Sequence, residues 1–270
     1  MKKEKASYTT PKGEPAPRRA GTTLMDKIYC ITGASSDVGI ALIERLLAHG
    51  GPGDKVAAQG FGDLQGLADL CARYKGRIFT FDVNLTEPKS LALFLQSVEE
   101  TVGAPTHLVH LPALRVLNTR FKNFDEERLA LDMQVQLGTA VALCKRFLPA
   151  MAKAKYGRVL FMLTSYVLGM PPKNTAAYII AKEALHGLAK SLAADYAPQG
   201  VTVNCVAPSM METKFLAETP DLIVQASAEA NPMGRNAPPA DVAPAMEFLL
   251  SDEAGFITGV VLPVTGGSAV

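Results

Sequence analysis

From Asp26 onward the chain alternates short apolar runs with longer segments whose apolar residues return every third or fourth position. The short runs, rich in Val, Ile and Phe, predict strands at Lys27–Thr32, Lys55–Gln59, Arg77–Phe81, His107–Leu111, Arg158–Leu163 and Val201–Val206, with a last one at Val260–Pro263. The periodic segments predict helices at Val38–His49 and at about 63–74, 87–102, 125–153, 176–198 and 239–251. Strands that alternate with helices require right-handed crossovers, so the pattern predicts an α/β fold: a doubly wound parallel sheet with helices on both faces. No internal repeat and no second domain interrupts it.

Residues 1–24 stand outside this alternation. They are polar, contain Pro and Gly, and set Lys2, Lys3, Lys5, Lys12, Arg18 and Arg19 against Glu4 and Glu14. The expectation is a disordered basic tail ahead of one folded domain at residues 25–270. The N-terminus lacks the apolar segment of a secretory signal, and no apolar run reaches the roughly 18 residues of a membrane span.

Composition narrows the function class. A net charge of +1 over 270 residues gives no electrostatic reason to expect nucleic acid as the main partner. Cys30, Cys71, Cys144 and Cys205 are widely spaced in apolar runs, which predicts buried, reduced thiols in a cytoplasmic protein and neither a disulfide framework nor a metal site.

Two constellations carry chemistry. The first strand ends in Thr32-Gly33-Ala34-Ser35-Ser36-Asp37-Val38-Gly39, directly before a helix. There, backbone N–H groups and the helix N-terminus attract a pyrophosphate, and glycines permit close approach, as in a Rossmann-type fold. Asp37 reads as a cap for that helix, the alternative being a carboxylate turned toward the pyrophosphate. The second constellation is Tyr178 and Lys182, four apart on one helix face, so an ammonium would lie beside a phenol and pull its pKa down toward working pH. That makes a tyrosine a usable general acid or base.

Together with Ser165, Asp82-Val83, Asn204-Cys205-Val206-Ala207-Pro208 and the C-terminal Asn231–Arg235 and Gly259–Gly267 segments, these motifs resemble the short-chain dehydrogenase/reductase family over residues 26–267. The C-terminal half is most similar to 3-oxoacyl-carrier-protein reductases. The resemblance implies a single-domain Rossmann-type enzyme that moves a hydride between NAD or NADP and a ketone or secondary alcohol. It implies a catalytic group of Ser165, Tyr178, Lys182 and Gln136, the last standing where the family has asparagine. It also implies that Gly33, Ser35, Ser36, Asp37, Val38, Phe61, Asp82, Val83, Leu111, Tyr178, Lys182, Pro208, Met211 and Thr213 hold the cofactor, and that the protein is a homotetramer or homodimer.

Several positions depart from the family pattern. Asp37 replaces a glycine of the turn, Ser209 replaces another, and His110-Leu111-Pro112-Ala113 stands for Asn-Asn-Ala-Gly. His110 is expected to pack at a strand end rather than titrate. The loop Gly60-Phe61-Gly62-Asp63 carries no basic residue for a 2′-phosphate, and Asp63 lies late for a ribose contact, so the choice of NAD or NADP stays open. The segment Ser209–Ala230 reads as an apolar substrate lid which, with Tyr166, Val167, Leu168 and Met170, predicts a small-molecule carbonyl or alcohol as partner. Two other readings remain: a catalytically weak dinucleotide sensor or non-catalytic subunit, and an interaction protein that docks through its basic tail.

Overall fold

The computed structural model describes residues 25–268; the basic tail expected at residues 1–24 lies outside them. Seven strands form one sheet in the order β3-β2-β1-β4-β5-β6-β7, every neighbouring pair parallel. They are β1 (Ile28–Thr32), β2 (Lys55–Gly60), β3 (Ile78–Asp82), β4 (His107–His110), β5 (Gly157–Met162), β6 (Val201–Pro208) and β7 (Val261–Val264). The chain reverses direction across the sheet between β1 and β4, and the crevice over such a switch point is where doubly wound folds bind ligands.

Between the strands lie α1 (Asp37–His49), α2 (Gln65–Arg73), α3 (Pro88–Val102), α4 (Glu126–Met133), α5 (Thr139–Ala154), α6 (Ala176–Tyr196), α7 (Asp221–Ala230) and α8 (Pro239–Leu250). The apolar faces of α3, α5 and α6 bury one side of the sheet, with Phe94, Phe147 and Leu185 in that core. On the other side α1, α2 and α8 contribute Leu42, Leu67 and Met246. Alternate residues of β1 serve opposite cores, Cys30 one and Tyr29 and Ile31 the other, which is why the strand reads as continuously apolar.

The helix expected as one piece over 125–153 is three. Residues Gln134–Gly138 form a π-helical turn between α4 and α5. The thiols of Cys30, Cys144 and Cys205 are buried as expected, whereas Cys71 is only half-buried; all four are free. No described helix is long and apolar enough to cross a membrane, and no cluster of metal-ligating side chains occurs among the described residues.

Candidate active site

The turn after β1 is built for close approach. Gly33 has φ +70°, and Gly39 packs so tightly that a Cβ there would lie 2.6 Å from the Ala34 carbonyl oxygen. The N-cap of α1 is Ser36, whose hydroxyl accepts from the Gly39 N–H at 3.2 Å. The expected capping by Asp37 is therefore corrected. Asp37 is the first residue of α1, and its carboxylate accepts from the Lys214 N–H at 2.6 Å. It is turned to the lid, and the helix start keeps its partial positive charge for an anion.

Buried Gln59, unmarked by any motif, organises the strand ends around this turn. Its side-chain oxygen accepts from the Gly33 N–H at 2.9 Å, and its amide donates to the Gly60 and Val83 carbonyls at 2.9 and 2.8 Å. Asp82, at the end of β3, accepts from the Gly62 N–H at 3.2 Å, which places its carboxylate beside the exposed Phe61 loop. Gly33, Ser35, Ser36, Asp37, Val38, Phe61, Asp82, Val83 and Leu111 thus line the C-terminal edge of β1–β4. Pro208, Met211 and Thr213 continue that edge beyond β6.

Over β5 and β6 stands the N-terminal part of α6. Lys182 is 1% exposed, its Nζ donates to the Met162 carbonyl at 2.7 Å, and it sits 5.7 Å from the Tyr178 ring centroid. Burial pulls this ammonium down to about 7, against the charges of Asp132 and Cys205, which favour the proton. The Tyr178 phenol moves the opposite way from the sequence expectation. Burial raises it above its ordinary value, and the neighbouring Thr164 hydroxyl opposes the rise. Thr164 is the N-cap of the 3₁₀ turn Ser165–Val167, its hydroxyl accepting from the Tyr166 N–H at 3.5 Å, and Ser165 opens that turn.

Behind this pair lies the π turn. Gln136 is fully buried, its amide donates to Asp132 Oδ1 at 3.2 Å, and its own side-chain oxygen has no protein partner among the described residues. Its backbone carbonyl takes His110 Nε2 at 2.8 Å, and His110 Nδ1 lies 2.7 Å from the Thr32 hydroxyl. Burial and the Lys182 charge push His110 down to about 3, so it is a neutral strut between β1, β4 and the π turn. Asp132, 3% exposed, also receives Arg128 Nε at 3.1 Å.

The lid is more open than the sequence suggests. Leu222 and Met170, expected to line the pocket, are largely exposed, whereas Phe215, Leu216 and Val224 are half-buried. Lys214 ties the lid to the groove, for its Nζ also pairs with Asp63 at 2.9 Å and holds that carboxyl below its usual value.

A dinucleotide fits these residues. The glycine positions leave a cradle that a Cβ would fill, and the buried Lys182 ammonium has a single protein acceptor among the described residues, leaving donors for a ligand. Residues 33–269 match a family described as enoyl-(acyl carrier protein) reductase. The chain is 34% identical over 242 residues to a 3-oxoacyl-[acyl-carrier-protein] reductase of Escherichia coli K12, covering 89% of this chain and 96% of that protein. It is 32% identical over 260 residues to a 2,3-dihydroxy-2,3-dihydro-p-cumate dehydrogenase of Pseudomonas putida F1, covering 93% and 98%. In fold it is similar to a levodione reductase structure, with a TM-score of 0.82 at 21% identity over 90% of this chain and 97% of that one. Glycine cradle, buried Tyr–Lys pair and these relatives agree: the chain belongs to the short-chain dehydrogenase/reductase family and is an NAD- or NADP-dependent oxidoreductase.

Proposed function

We propose that this enzyme reduces a small apolar or acyl-type ketone to a secondary alcohol, or runs the reverse reaction, with Tyr178 as general acid and base. The observation that carries this reading is the buried Lys182 ammonium beside the Tyr178 phenol at the C-terminal edge of the sheet. A bound nicotinamide supplies the hydride to the carbonyl carbon or accepts it back. Tyr178, kept protonated by burial, gives its proton to the substrate oxygen. As phenolate develops, the Lys182 charge stabilises it. Ser165, with Thr164 as the neighbouring alternative, supplies a hydroxyl to the same oxygen.

In the groove, Gly33, Ser35, Ser36, Asp37 and Val38 would cradle the pyrophosphate, Phe61, Asp82, Val83 and Leu111 the adenosine, and Pro208, Met211 and Thr213 the nicotinamide. Tyr178→Phe should abolish turnover while dinucleotide affinity, measured by titration calorimetry, stays within about twofold. Retained turnover would sink the assignment. The sensor reading survives on one observation, the Asp37 carboxylate at the start of α1, and is favoured if dinucleotide binds but no ketone or alcohol is turned over.

Exposed Leu131 on α4, Val141 on α5 and Ile180 on α6 support a homotetramer or homodimer packed through these helices. Light scattering of Ile180→Glu against wild type tests that, with a smaller particle expected for the variant.

A further inference from the structure

A cavity of about 50 Å³ lies against Tyr178, between the loop after β4, the start of α4 and the loop leading into α6. Its wall includes two arginines, Arg115 and Arg128, whose charges the proposed chemistry leaves unused. Leu117 and Phe124 add apolar surface to the same wall.

The two guanidiniums are not equivalent. Arg128 is committed to the fold: its Nε donates to Asp132 at 3.1 Å, and an Nη donates to the Arg115 carbonyl. The acids of the wall are committed as well. Asp132 meets Arg128 with one oxygen and the Gln136 amide with the other, and Asp125 caps α4 by accepting from the Arg128 N–H at 2.9 Å. The Arg115 side chain is instead paired with the lid, at Glu218, where the two side chains are 47% and 72% exposed. An ion pair so open to water contributes little to stability and exchanges readily.

The loop that carries Arg115 is nonetheless held on both sides. Arg128 grips the Arg115 carbonyl, and the Thr119 N–H donates at 2.9 Å to the carbonyl of Asn174, which takes the left-handed φ of +69°. A guanidinium on such a mount offers a planar fork of donors that matches a carboxylate. Glu218 already fills that fork with one.

Resting on the proposed ketone reduction at Tyr178, we propose that the substrate is an oxo acid and that Arg115 determines this specificity. The substrate carboxylate takes the place of Glu218 on the guanidinium while the ketone lies at Tyr178. Charge is conserved in the exchange, since one carboxylate arrives as another leaves, and Glu218 lets go of the loop after β4. A neutral ketone has nothing to exchange for Glu218. The small cavity keeps the two functional groups a short chain apart, with Leu117 and Phe124 beside that chain.

The test sets straight-chain oxo acids of increasing length against the methyl ester of each, with dinucleotide bound. In the wild type, kcat/KM should favour the best acid over its ester by about tenfold or more. Arg115→Met should erase that preference, chiefly by raising KM for the acid. Glu218→Gln should move KM for the acid the other way, down by about threefold, because the competing carboxylate is gone and the guanidinium remains. Both variants cut the same ion pair. A pair that only latches the lid therefore predicts changes in the same direction in both, on acids and esters alike, and that result overturns the proposal. So does a wild type that does not prefer the acids, or a preference kept in Arg115→Met. Should Arg115→Met not fold, Glu218→Gln decides: an unchanged or raised KM for the acid overturns the proposal. If the wild type reduces neither acids nor esters, the functional reading fails instead, and calorimetric titration of the same acids with dinucleotide present judges Arg115 alone. Acid binding that weakens about tenfold in Arg115→Met upholds the assignment; binding absent from the wild type, or unchanged in the variant, overturns it.

Discussion

Lys182 is a buried charge with one carbonyl partner, and such groups are held for chemistry at the expense of stability. Its ordinary pKa is 10.5 and its folded value about 7. The unfolded chain therefore binds more protons between those values, so this group makes the fold less stable below about pH 7 and the deficit fades as pH rises through the window. Lys182→Met should raise stability by about 1–3 kcal/mol near pH 6, with the gap narrowing toward pH 10, as read by urea unfolding at both pH values.

At the same scale, Ser165→Ala should lower kcat by about 100-fold while dinucleotide affinity holds, as expected for a hydroxyl that meets the substrate oxygen. The chain spelled out Tyr178, Lys182 and the glycines by spacing. It did not mark Thr164, whose hydroxyl also lies near the phenol. Gln59 was illegible because its hydrogen-bond partners lie 24 and 26 residues away in the chain.

Among the elements, the strands and most helices fall within a residue or two of the apolar periodicity that predicts them, because each buries a face against one of two cores. The exception is the turn at Gln134–Gly138. One extra residue per turn rotates Gln136 inward and lets the Thr139 hydroxyl bond the Gln134 carbonyl at 3.2 Å. A periodicity of three and four cannot announce such a bulge, and bulges of this kind cluster at functional sites. The start of α1 makes a sharper prediction. Gly39→Ala would press a Cβ into the Ala34 backbone, so the variant should lose about 1–3 kcal/mol in denaturant unfolding and bind dinucleotide more weakly.

On the scale of the whole molecule, the sheet order places every expected cofactor-binding residue on one edge, although they span Gly33 to Thr213 in the chain. That convergence was readable because right-handed crossovers leave few arrangements for seven alternating strands. The lid was not readable in the same way. Its apolar residues suggested a closed pocket, yet Leu222 and Met170 face outward, and its firmest tether is polar.

That tether, Lys214, has a kinetic consequence. Its backbone N–H joins the lid to Asp37 at the mouth of the glycine turn and its ammonium pairs with Asp63 beyond β2, so one residue fastens the lid at two points. A dinucleotide bound at the glycine turn would lie beside these contacts, so its binding is expected to affect the lid before a ketone reaches Tyr178. The expected order is dinucleotide first and carbonyl compound second, with release in reverse. Product-inhibition patterns should show the oxidised and reduced dinucleotides competing with each other and the alcohol not competing with them. Lys214→Ala, which removes the Asp63 pair and keeps the backbone bond to Asp37, should drift toward random order.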